Sequence, residues 1–341
     1  MSVFIIAEAG ANHNRDIKQA FKLVTAAKKA NTDAVKFQTY SSETLYAKGV
    51  PDFAGYKNIN KLIKDIELPR EWQKDIKMFC DDSGIEFMST PFDEKAVEEL
   101  YNLGVKRIKI AGFESTDPRF VKMVASTGLP LIITSGIASS VRKIVDILGW
   151  VLEVNHNPDV TILHGNNAYP TPLRDANVGQ IKRILEFQKC GSYFPYQFKV
   201  GLSDHTEGIL VPPLAVAVGA TTIEKHFTLS RSLDGPDHKF AIEPEELIAM
   251  VQNVRSTTEC LGERNSAFTD SEKSFISATR SLVAKRDIHP GELLTEANVT
   301  TMRPHLEGSV PAAKFYQTIN QVSKSKISKN NIILERHIDN D

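Results

Sequence analysis

The sequence AVKFQT, residues Ala34–Thr39, has the pattern of a β-strand whose two faces differ in character. Side chains two positions apart in a strand point to the same side, so Lys36 and Gln38 share one face. Val35 and Phe37 share the other, apolar face, which is expected to pack against helices. Lys36 and Gln38 are therefore expected to face the interior or the mouth of a closed sheet. A buried lysine is costly unless an anion pairs with it, although a lysine at a strand end can also reach solvent.

Short β-rich runs alternate with helical patterns on both sides of this strand. Such alternation is typical of a parallel sheet, and eight units in about 260 residues match a (β/α)8 barrel. A doubly wound sheet is the alternative, but no glycine-rich nucleotide-binding loop follows the first strand. The predicted strands are Phe4–Ala7, Ala34–Thr39, Ile85–Ser89, Arg107–Ala111, Leu131–Thr134, Thr161–His164, Lys199–Ser203 and Ala220–Glu224.

Several of the intervening helical patterns have recognisable ends. Asp117 and Ser139 are the predicted N-caps of two helices, because short oxygen-bearing side chains accept hydrogen bonds from the free N–H groups of a first turn. Gly191 and Gly262 follow two others as stop residues. The predicted helices are Ile17–Lys29, Asp93–Leu103, Asp117–Val124, Ser139–Val154, Asp175–Cys190 and Pro244–Leu261.

The chain changes character after residue 262. Residues 263–276 are polar, charged and weakly periodic, which is typical of a linker. Beyond them, Arg280–Lys285 has a strand pattern, and turn signals follow at His289–Glu292 and at Arg303-Pro304. We therefore predict a barrel over residues 1–262, a linker over 263–276 and a small β-rich domain over 277–341.

The composition excludes several classes of protein. The formal net charge is −1, so no global charge draws the chain to nucleic acid or to anionic lipid. No apolar run approaches the roughly 18 residues that cross a membrane, and the first predicted strand leaves no room for a signal peptide. Cys80, Cys190 and Cys260 form no metal or disulfide spacing, which fits a reducing compartment. We predict a cytoplasmic protein in which any phosphorylated substrate is held by locally placed cations.

Charged residues stand at the carboxyl ends of predicted strands, where barrel enzymes carry their active sites. Lys109, in the predicted fourth strand, repeats the arrangement of Lys36. Two lysines converging on one mouth would suit a ligand with a phosphate and a carboxylate. Glu8 ends the first strand and Glu114 follows the fourth, so both are candidates for general acid–base chemistry.

Two histidines stand at the ends of the last two predicted strands. His205 follows the seventh strand and His226 follows the eighth. Adjacent strands of a closed barrel bring such side chains together, and two histidines with open positions make a plausible catalytic metal site. His13, His164 and His238 also lie near predicted loops, so spacing alone does not select the pair.

Eight motifs in order along the chain resemble the signatures of the sialic acid synthase family. The segment from Arg280 to Pro304 is similar to the antifreeze-like domain that follows the barrel in that family. One such motif is weak evidence, whereas eight in order with the matching second domain are specific. The motifs are Glu8–Asn14, Val35–Thr39, Ser89–Phe92, Lys109–Glu114, Tyr169–Pro172, Gly201–His205, Glu224–Thr228 and Gly235–His238.

The resemblance implies a fold and a reaction. The fold is a (β/α)8 barrel followed by a β-rich antifreeze-like (SAF) domain, in a domain-swapped homodimer whose C-terminal domains cover the partners' active sites. The implied enzyme is an N-acetylneuraminate synthase, which condenses phosphoenolpyruvate with N-acetylmannosamine and water and releases phosphate. The implied cofactor is a divalent metal, manganese or magnesium.

Residue roles are implied by the positions that match the family's motifs. The positions that match phosphoenolpyruvate contacts are Lys36, Thr90, Lys109, Thr134, Asn167 and Ser203. The positions that match amino-sugar contacts are Glu8, Gln38, Tyr169, Asp237 and Arg303, the last reaching from the partner subunit to hold the N-acyl group. The positions that match metal ligands are His205 and His226. The implied catalytic residues are Glu8, Glu114, Lys36 and Lys109.

Three positions depart from the family pattern. Gly112 stands where many members have a serine that helps to bind phosphoenolpyruvate, and Gly165 replaces a common cysteine. Thr279 stands where members often have a bulky residue near the acyl end of the sugar. The last change bears on which acyl group the enzyme accepts.

The sugar itself stays open between relatives of the family. A 2,4-diacetamido-trideoxy hexose, as in legionaminic or pseudaminic acid synthesis, is the alternative to N-acetylmannosamine. Phe113 favours the pseudaminic acid and spore-polysaccharide members. Asp237-His238 together with Glu243-Pro244 favours the sialic acid or legionaminic acid members.

Two other classes of function compete with a synthase. A metal-dependent sugar isomerase would use the two histidines but would leave the two interior lysines unexplained. A non-catalytic ice- or glycan-binding protein would need a degenerate barrel, and the retained histidine and carboxylate positions argue against it.

Overall fold

The computed structural model describes residues 2–51, 58–137, 139–189, 196–262 and 268–338. The chain divides into two compact units, residues 1–262 and residues 263–341. The predicted linker therefore falls in the second unit; its residues 263–267 lie outside the described residues, as does Cys190, the predicted end of a helix. No helix in the described ranges is long and apolar enough to span a bilayer.

The first unit is a (β/α)8 barrel, as predicted. Its strands are hydrogen-bonded in parallel in the order β3-β2-β1-β8-β7-β6-β5-β4, and β3 and β4 lie side by side, which nearly closes the sheet. The strands in the described residues are β1 (Phe4–Gly10), β2 (Ala34–Thr39), β3 (Glu86–Pro91), β4 (Ile108–Ile110), β5 (Leu131–Thr134), β6 (Val160–Gly165), β7 (Lys199–Asp204) and β8 (Thr222–His226).

Helices alternate with these strands and pack their apolar faces against the outside of the sheet. Asp117 caps α5 as predicted, accepting from the N–H groups of Arg119 and Phe120. The predicted cap at Ser139 is wrong: Ser140 caps the helix Val141–Leu152 by accepting from the Lys143 N–H, and the Ser139 hydroxyl lies 2.5 Å from the Ser135 hydroxyl instead. The helices are α1 (Ile17–Lys29), α2 (Ile59–Ile66), α3 (Trp72–Ser83), α4 (Glu94–Leu103), α5 (Pro118–Ala125), α6 (Val141–Leu152), α7 (Gly179–Lys189), α8 (Val211–Ala217) and α9 (Pro244–Leu261).

An apolar layer fills the barrel interior below its carboxyl end. It consists of Ile6, Ala34, Met88, Ile132 and Leu163, all buried. Because residues two apart in a strand share a face, the next inward positions are Glu8, Lys36, Thr90, Thr134 and Gly165. The apolar layer is thus the floor on which a polar layer stands, at the end of the barrel where active sites form.

The second unit is a small β-rich fold. Strands β9 (Ser281–Ala284) and β10 (Val299–Met302) pair antiparallel. Short helices α10 (Asp270–Lys273) and α11 (Phe315–Thr318) accompany them, and the first lies within the predicted linker. The buried core of the second unit consists of Leu282, Ala284, Ile288, Leu294, Val299, Val310, Ile327, Ile333 and Ile338.

Candidate active site

A cavity opens at the carboxyl ends of the barrel strands. Its walls come from every strand of the barrel or from the loop that follows it, which matches the predicted location of the site. The lining residues are Glu8, Lys36, Gln38, Thr90, Phe92, Lys109, Ala111, Gly112, Thr134, Asn167, Tyr169, Ser203, His205, Glu224 and His226.

The two predicted lysines lie buried in this cavity, and each contacts a carboxylate. The Lys36 ammonium is 2.7 Å from Glu8 Oε2 and 3.6 Å from Glu224 Oε2, and it donates to Thr90 Oγ1 at 2.8 Å. The Lys109 ammonium is 3.1 Å from Glu224 Oε1. Both lysines are at most 3% exposed. Burial of these cations is therefore compensated within the barrel.

Glu224 is the site residue that the sequence interpretation missed. It is 4% exposed and stands between both lysines, while the Ser203 hydroxyl donates to its Oε1 at 2.9 Å. The signal was available, because Glu224 precedes His226 by two positions in one strand and so shares its face. However, Lys225 follows Glu224 directly, and adjacent residues of opposite charge are typical of a solvent-exposed strand end.

The pKa values of the two buried carboxyl groups, Glu8 and Glu224, shift in opposite directions. Burial raises the pKa of the Glu8 carboxyl to about 7; Lys36 opposes this shift, and the negative charge of Glu224 adds to it. Burial also disfavours an ionised Glu224, but Lys109, Lys36 and the Ser203 hydroxyl outweigh it and hold the pKa of Glu224 well below its ordinary value. Near neutral pH, Glu224 is thus the permanent counter-ion, and Glu8 can gain or lose a proton.

The pKa values of the two lysines shift in opposite directions. Burial opposes the charged form of Lys36, yet the carboxylates of Glu224 and Glu8 raise its pKa. Burial lowers the pKa of Lys109, and Glu224 offsets only part of the effect. The carboxylates therefore stabilise the ammonium of Lys36 more than that of Lys109.

Several neutral polar groups face the same cavity with unused hydrogen-bonding capacity. Thr134 Oγ1 and Asn167 Oδ1 are buried and have no hydrogen-bond partner among the described residues. Ser203 and Thr90 bond to Glu224 and Lys36, respectively. The six predicted contacts to phosphoenolpyruvate thus lie together around one cavity, and two of them carry free acceptor atoms.

His205 and His226 lie side by side, with ring centroids 5.5 Å apart. Burial lowers the pKa of His205 to about 4 and that of His226 well below its ordinary value, so both rings are neutral at pH 7. His205 Nδ1 is 2.5 Å from the Asn166 carbonyl, which requires a proton there and leaves Nε2 as the nitrogen with the lone pair, 3.4 Å from the Ser203 hydroxyl. Nδ1 of His226 is buried and has no hydrogen-bond partner in the described part of the chain. Neutral imidazoles with free lone pairs are suitable ligands for a divalent metal.

The other histidine candidates serve the scaffold. His164 Nε2 bonds the Ala176 carbonyl, His238 Nδ1 is 2.6 Å from Thr228 Oγ1, and His13 Nδ1 accepts from the Arg15 N–H. None of the three lines the described cavity. Across the described residues, no three histidine, cysteine or carboxylate side chains form a metal-binding group.

The predicted sugar-binding residues are only partly brought together. Gln38 donates to Glu8 Oε1 at 2.9 Å, and the Tyr169 ring lies 4.2 Å from that of His205. Asp237 lies just outside the cavity lining, with Oδ2 3.8 Å from His226 Nδ1. Arg303 belongs to the second unit and is exposed.

Glu114, a predicted catalytic residue, is not among the side chains that line the described cavity. It begins a short 3₁₀ turn, Glu114–Thr116. Burial raises the pKa of its carboxyl, and its Oε2 has no hydrogen-bond partner among the described residues. Glu8 is therefore the better placed of the two predicted proton carriers.

Gly112 is a position where the structure explains the departure from the family pattern. A Cβ atom there would lie 2.8 Å from the Gly136 Cα and 2.9 Å from the Asn167 amide nitrogen. Such distances are shorter than real contacts, so a serine would have to displace Asn167 or Gly136. The Asn167 amide thus occupies the space that a side chain at position 112 would need.

The fold and the cavity define a class of protein: a (β/α)8-barrel enzyme whose cavity places two buried lysines beside a pair of neutral histidines. The chain belongs to the NeuB family, whose profile matches residues 23–266, and a SAF domain profile matches residues 279–339. It is an enzyme of the sialic acid synthase type, as the resemblance of its motifs predicted.

Named relatives and one solved structure illustrate this membership. The chain is 38% identical to N,N'-diacetyllegionaminic acid synthase of Legionella pneumophila, over 89% of this chain and 86% of the relative. It is 36% identical to pseudaminic acid synthase of Campylobacter jejuni, over 95% and 93%. The crystal structure of N-acetylneuraminic acid synthetase from Leptospira borgpetersenii, in complex with citrate, matches with a TM-score of 0.72 and 32% identity, over 82% of this chain and 91% of that one.

Proposed function

We propose that this enzyme condenses phosphoenolpyruvate with the open-chain form of an N-acyl amino sugar and releases phosphate. The observation that carries the proposal is the cavity itself, in which two buried lysines and several free polar groups face two neutral histidines. A sugar isomerase would not need the lysines, and a glycan-binding module would not need charges buried so deeply.

The lysine side of the cavity is proposed to bind phosphoenolpyruvate. Lys36 and Lys109 supply the cationic charge, while Thr134 and Asn167 supply polar atoms that no described group engages. Charge-assisted hydrogen bonds to phosphate and carboxylate are stronger than neutral ones. Holding the three-carbon substrate in one orientation, with its methylene carbon toward the sugar, would supply much of the rate enhancement.

The bond changes follow from the two substrates. The methylene carbon of phosphoenolpyruvate forms a bond to the aldehyde carbon, and the aldehyde oxygen takes up a proton. The π electrons of the phosphoenolpyruvate double bond form this new bond, which leaves C2 as an oxocarbenium-like carbon. Water adds to C2 and loses a proton. The resulting hydroxyl loses its proton as the bond from C2 to the phosphate oxygen breaks, which leaves a ketone at C2 and free phosphate. Glu8 is proposed to deliver or orient the proton, because it lines the cavity and its pKa of about 7 lets it carry one at neutral pH.

His205 and His226 are proposed to hold a divalent manganese or magnesium ion. When bound, such an ion supplies Lewis-acid polarisation of the sugar aldehyde. The neutral rings and the free nitrogen of His226 fit this role. Tyr169, packed on His205, would shield that side of the cavity from water.

For the sugar, we propose a 2,4-diacetamido-trideoxy hexose, the substrate class of legionaminic and pseudaminic acid synthesis. The support is the identity to those two relatives, 38% and 36%, over most of each chain. N-acetylmannosamine is the second candidate, and the match to the Leptospira synthetase supports it. Incubating the enzyme with phosphoenolpyruvate, manganese and each sugar in turn, and measuring phosphate release, tests the reaction and separates the sugars. No release with any amino sugar would contradict the proposed function.

We also propose a cytoplasmic, domain-swapped homodimer in which the second unit of one chain covers the barrel of its partner. Apolar side chains on loops after β4, β5 and β6 are exposed at the cavity mouth, at 50% for Phe113, 56% for Ile137 and 58% for Leu173. Such a rim suits a covering surface. Arg303 would then reach the sugar of the partner's site.

Mixing two defective variants tests the sharing of sites. Arg303→Ala should raise the sugar requirement sharply while phosphoenolpyruvate and metal binding persist, and His205→Ala should remove the metal. If sites are shared, half of the sites in a mixed dimer combine an intact barrel with an intact arginine, and activity returns. If mixed dimers stay as poor as their parents, each chain serves its own site and the proposal of sharing is lost.

A further inference from the structure

A buried ion pair lies directly behind the two histidines, on the opposite face of the same strands. Asp204 and Lys225 are paired residues of the β7–β8 ladder, and each side chain is 1% exposed. Because neighbours in a strand point to opposite faces, these side chains point outward. His226, next to Lys225, and His205, next to Asp204, point into the cavity.

The Lys225 ammonium contacts both neighbours of His205. It lies 2.8 Å from Asp204 Oδ2, and it also donates to the Thr206 carbonyl. Asp204 Oδ1 in turn accepts from the Thr206 N–H at 3.0 Å. The Lys225 side chain of β8 therefore contacts the chain on each side of His205, the residue that follows β7, and Lys225 is adjacent in sequence to His226.

The two histidines differ in how their rings are held. His205 has its own anchor, the bond from Nδ1 to the Asn166 carbonyl. His226 has no such bond at Nδ1 within the described residues. Its backbone carbonyl accepts from the Ile242 N–H, and the following N–H donates to the Glu8 carbonyl. Its position relative to His205 therefore depends largely on the backbone. The β7–β8 ladder joins the two backbones, and the Lys225 side chain adds contacts to Asp204 and Thr206, on either side of His205.

We propose that Lys225 and Asp204 are positioning residues for the metal site, setting the separation of the two histidine ligands. This inference rests on the proposed metal-binding role of those histidines. Replacing a buried ion pair by apolar side chains of similar volume is often neutral for stability, whereas removing one partner is strongly destabilising. A role in positioning can therefore be separated from a role in stability by comparing single and double substitutions.

The experiment compares wild type with Lys225→Met, Asp204→Leu and the double variant, in full-length enzyme. Manganese affinity is measured from the electron paramagnetic resonance signal of the free ion, and stability from thermal unfolding without metal. We expect both single variants to lose stability and manganese affinity. The double variant should regain stability but still bind manganese at least about tenfold more weakly than wild type, the scale of losses when groups that orient metal ligands are removed.

The matched control is the Arg107–Glu86 pair, 2.6 Å apart at the amino ends of β3 and β4, away from the cavity. The double substitution Arg107→Met with Glu86→Leu should leave manganese affinity unchanged. If the Lys225 and Asp204 double variant binds manganese as tightly as wild type, the positioning role is wrong.

Two further outcomes are distinguishable. If the double variant does not fold, Asp204→Asn replaces it, since it keeps the side-chain shape and an acceptor for the Thr206 N–H; wild-type manganese affinity in that variant also overturns the inference. If wild type itself binds no manganese, or if His205→Ala binds it equally well, the proposed metal site fails and the inference fails with it.

Discussion

The two sides of the cavity differ in how they remain stable without a ligand. On the lysine side, each cation contacts a carboxylate of the same chain, at 2.7 Å for Lys36 and 3.1 Å for Lys109. On the histidine side, the titratable rings are neutral, and His226 Nδ1 has no hydrogen-bond partner among the described residues. A buried charge without a partner costs several kcal/mol, whereas an unpaired neutral group costs about 1–3 kcal/mol.

This difference predicts how each side accepts its ligand. On the lysine side, phosphoenolpyruvate must share the lysines with carboxylates that already contact them. On the histidine side, a ligand displaces no ion pair. Substitutions on the lysine side should therefore change ligand binding and stability, whereas substitutions on the histidine side should mainly change activity.

The largest effect is expected on the histidine side. His205→Ala and His226→Ala should each abolish measurable activity and tight manganese binding while leaving the chain folded, because removing a neutral imidazole strands no charge. A chelator should abolish wild-type activity and manganese should restore it. His156→Ala, at an exposed position, is the matched control. Unchanged activity after exhaustive chelation would remove the metal from the mechanism.

On the lysine side, Lys36→Ala should weaken phosphoenolpyruvate binding by about 2–5 kcal/mol, the usual scale for losing one partner of a desolvated charge pair. The affinity for the sugar should change much less. Isothermal titration calorimetry measures both. Lys199→Ala serves as the control, because Lys199 pairs with Asp159 at a largely exposed site and such pairs contribute little. Normal phosphoenolpyruvate binding by Lys36→Ala would contradict the assignment of this side of the cavity.

Glu224→Gln tests the counter-ion itself. Neutralising it leaves two buried ammonium groups with less compensation, so the enzyme without ligand should lose about 3 kcal/mol of stability. Phosphoenolpyruvate should restore much of this loss, giving a larger thermal shift than in wild type. Glu153→Gln, at an exposed site 56% accessible, controls for the change in formal charge. An equal or smaller shift in Glu224→Gln would show that Glu224 does not balance the lysines.

The sequence predicted much of this arrangement because its strands carry strong local signals. Lys36 was placed inside the barrel by the alternation of its strand, and His205 and His226 by the ends of neighbouring strands. Glu224 obeys the same alternation but was missed, since a glutamate followed by a lysine is also typical of a solvated strand end. Glu114 was predicted in the cavity because its distance from a strand is short, yet the 3₁₀ turn that carries it depends on tertiary packing.

The remaining differences arise from contacts, both local and long-range, that the sequence pattern does not specify. The Ser139 hydroxyl is a suitable cap in sequence, but in the structure it bonds Ser135, and Ser140 caps the helix. The close approach of Gly112 to Gly136 and Asn167 joins three loops that are far apart in the chain. Nothing local in the sequence specifies which of these loops meet.

The smallest expected effect concerns Glu8, whose carboxyl contacts Lys36 and Gln38. Its pKa is about 7 in the folded state, against an ordinary value of 4.5. Between these values the folded protein keeps a proton that the unfolded chain releases, so stability should fall as the pH rises through this window and level off above about pH 7. Between pH 6 and 8 the loss from this one group is about 1.4 kcal/mol. Urea unfolding at a series of pH values measures it, with Glu8→Gln as the reference that lacks the group. The wild-type curve should decline relative to the Glu8→Gln curve across this range, and parallel curves would show that Glu8 is ionised throughout and cannot carry the proton assigned to it.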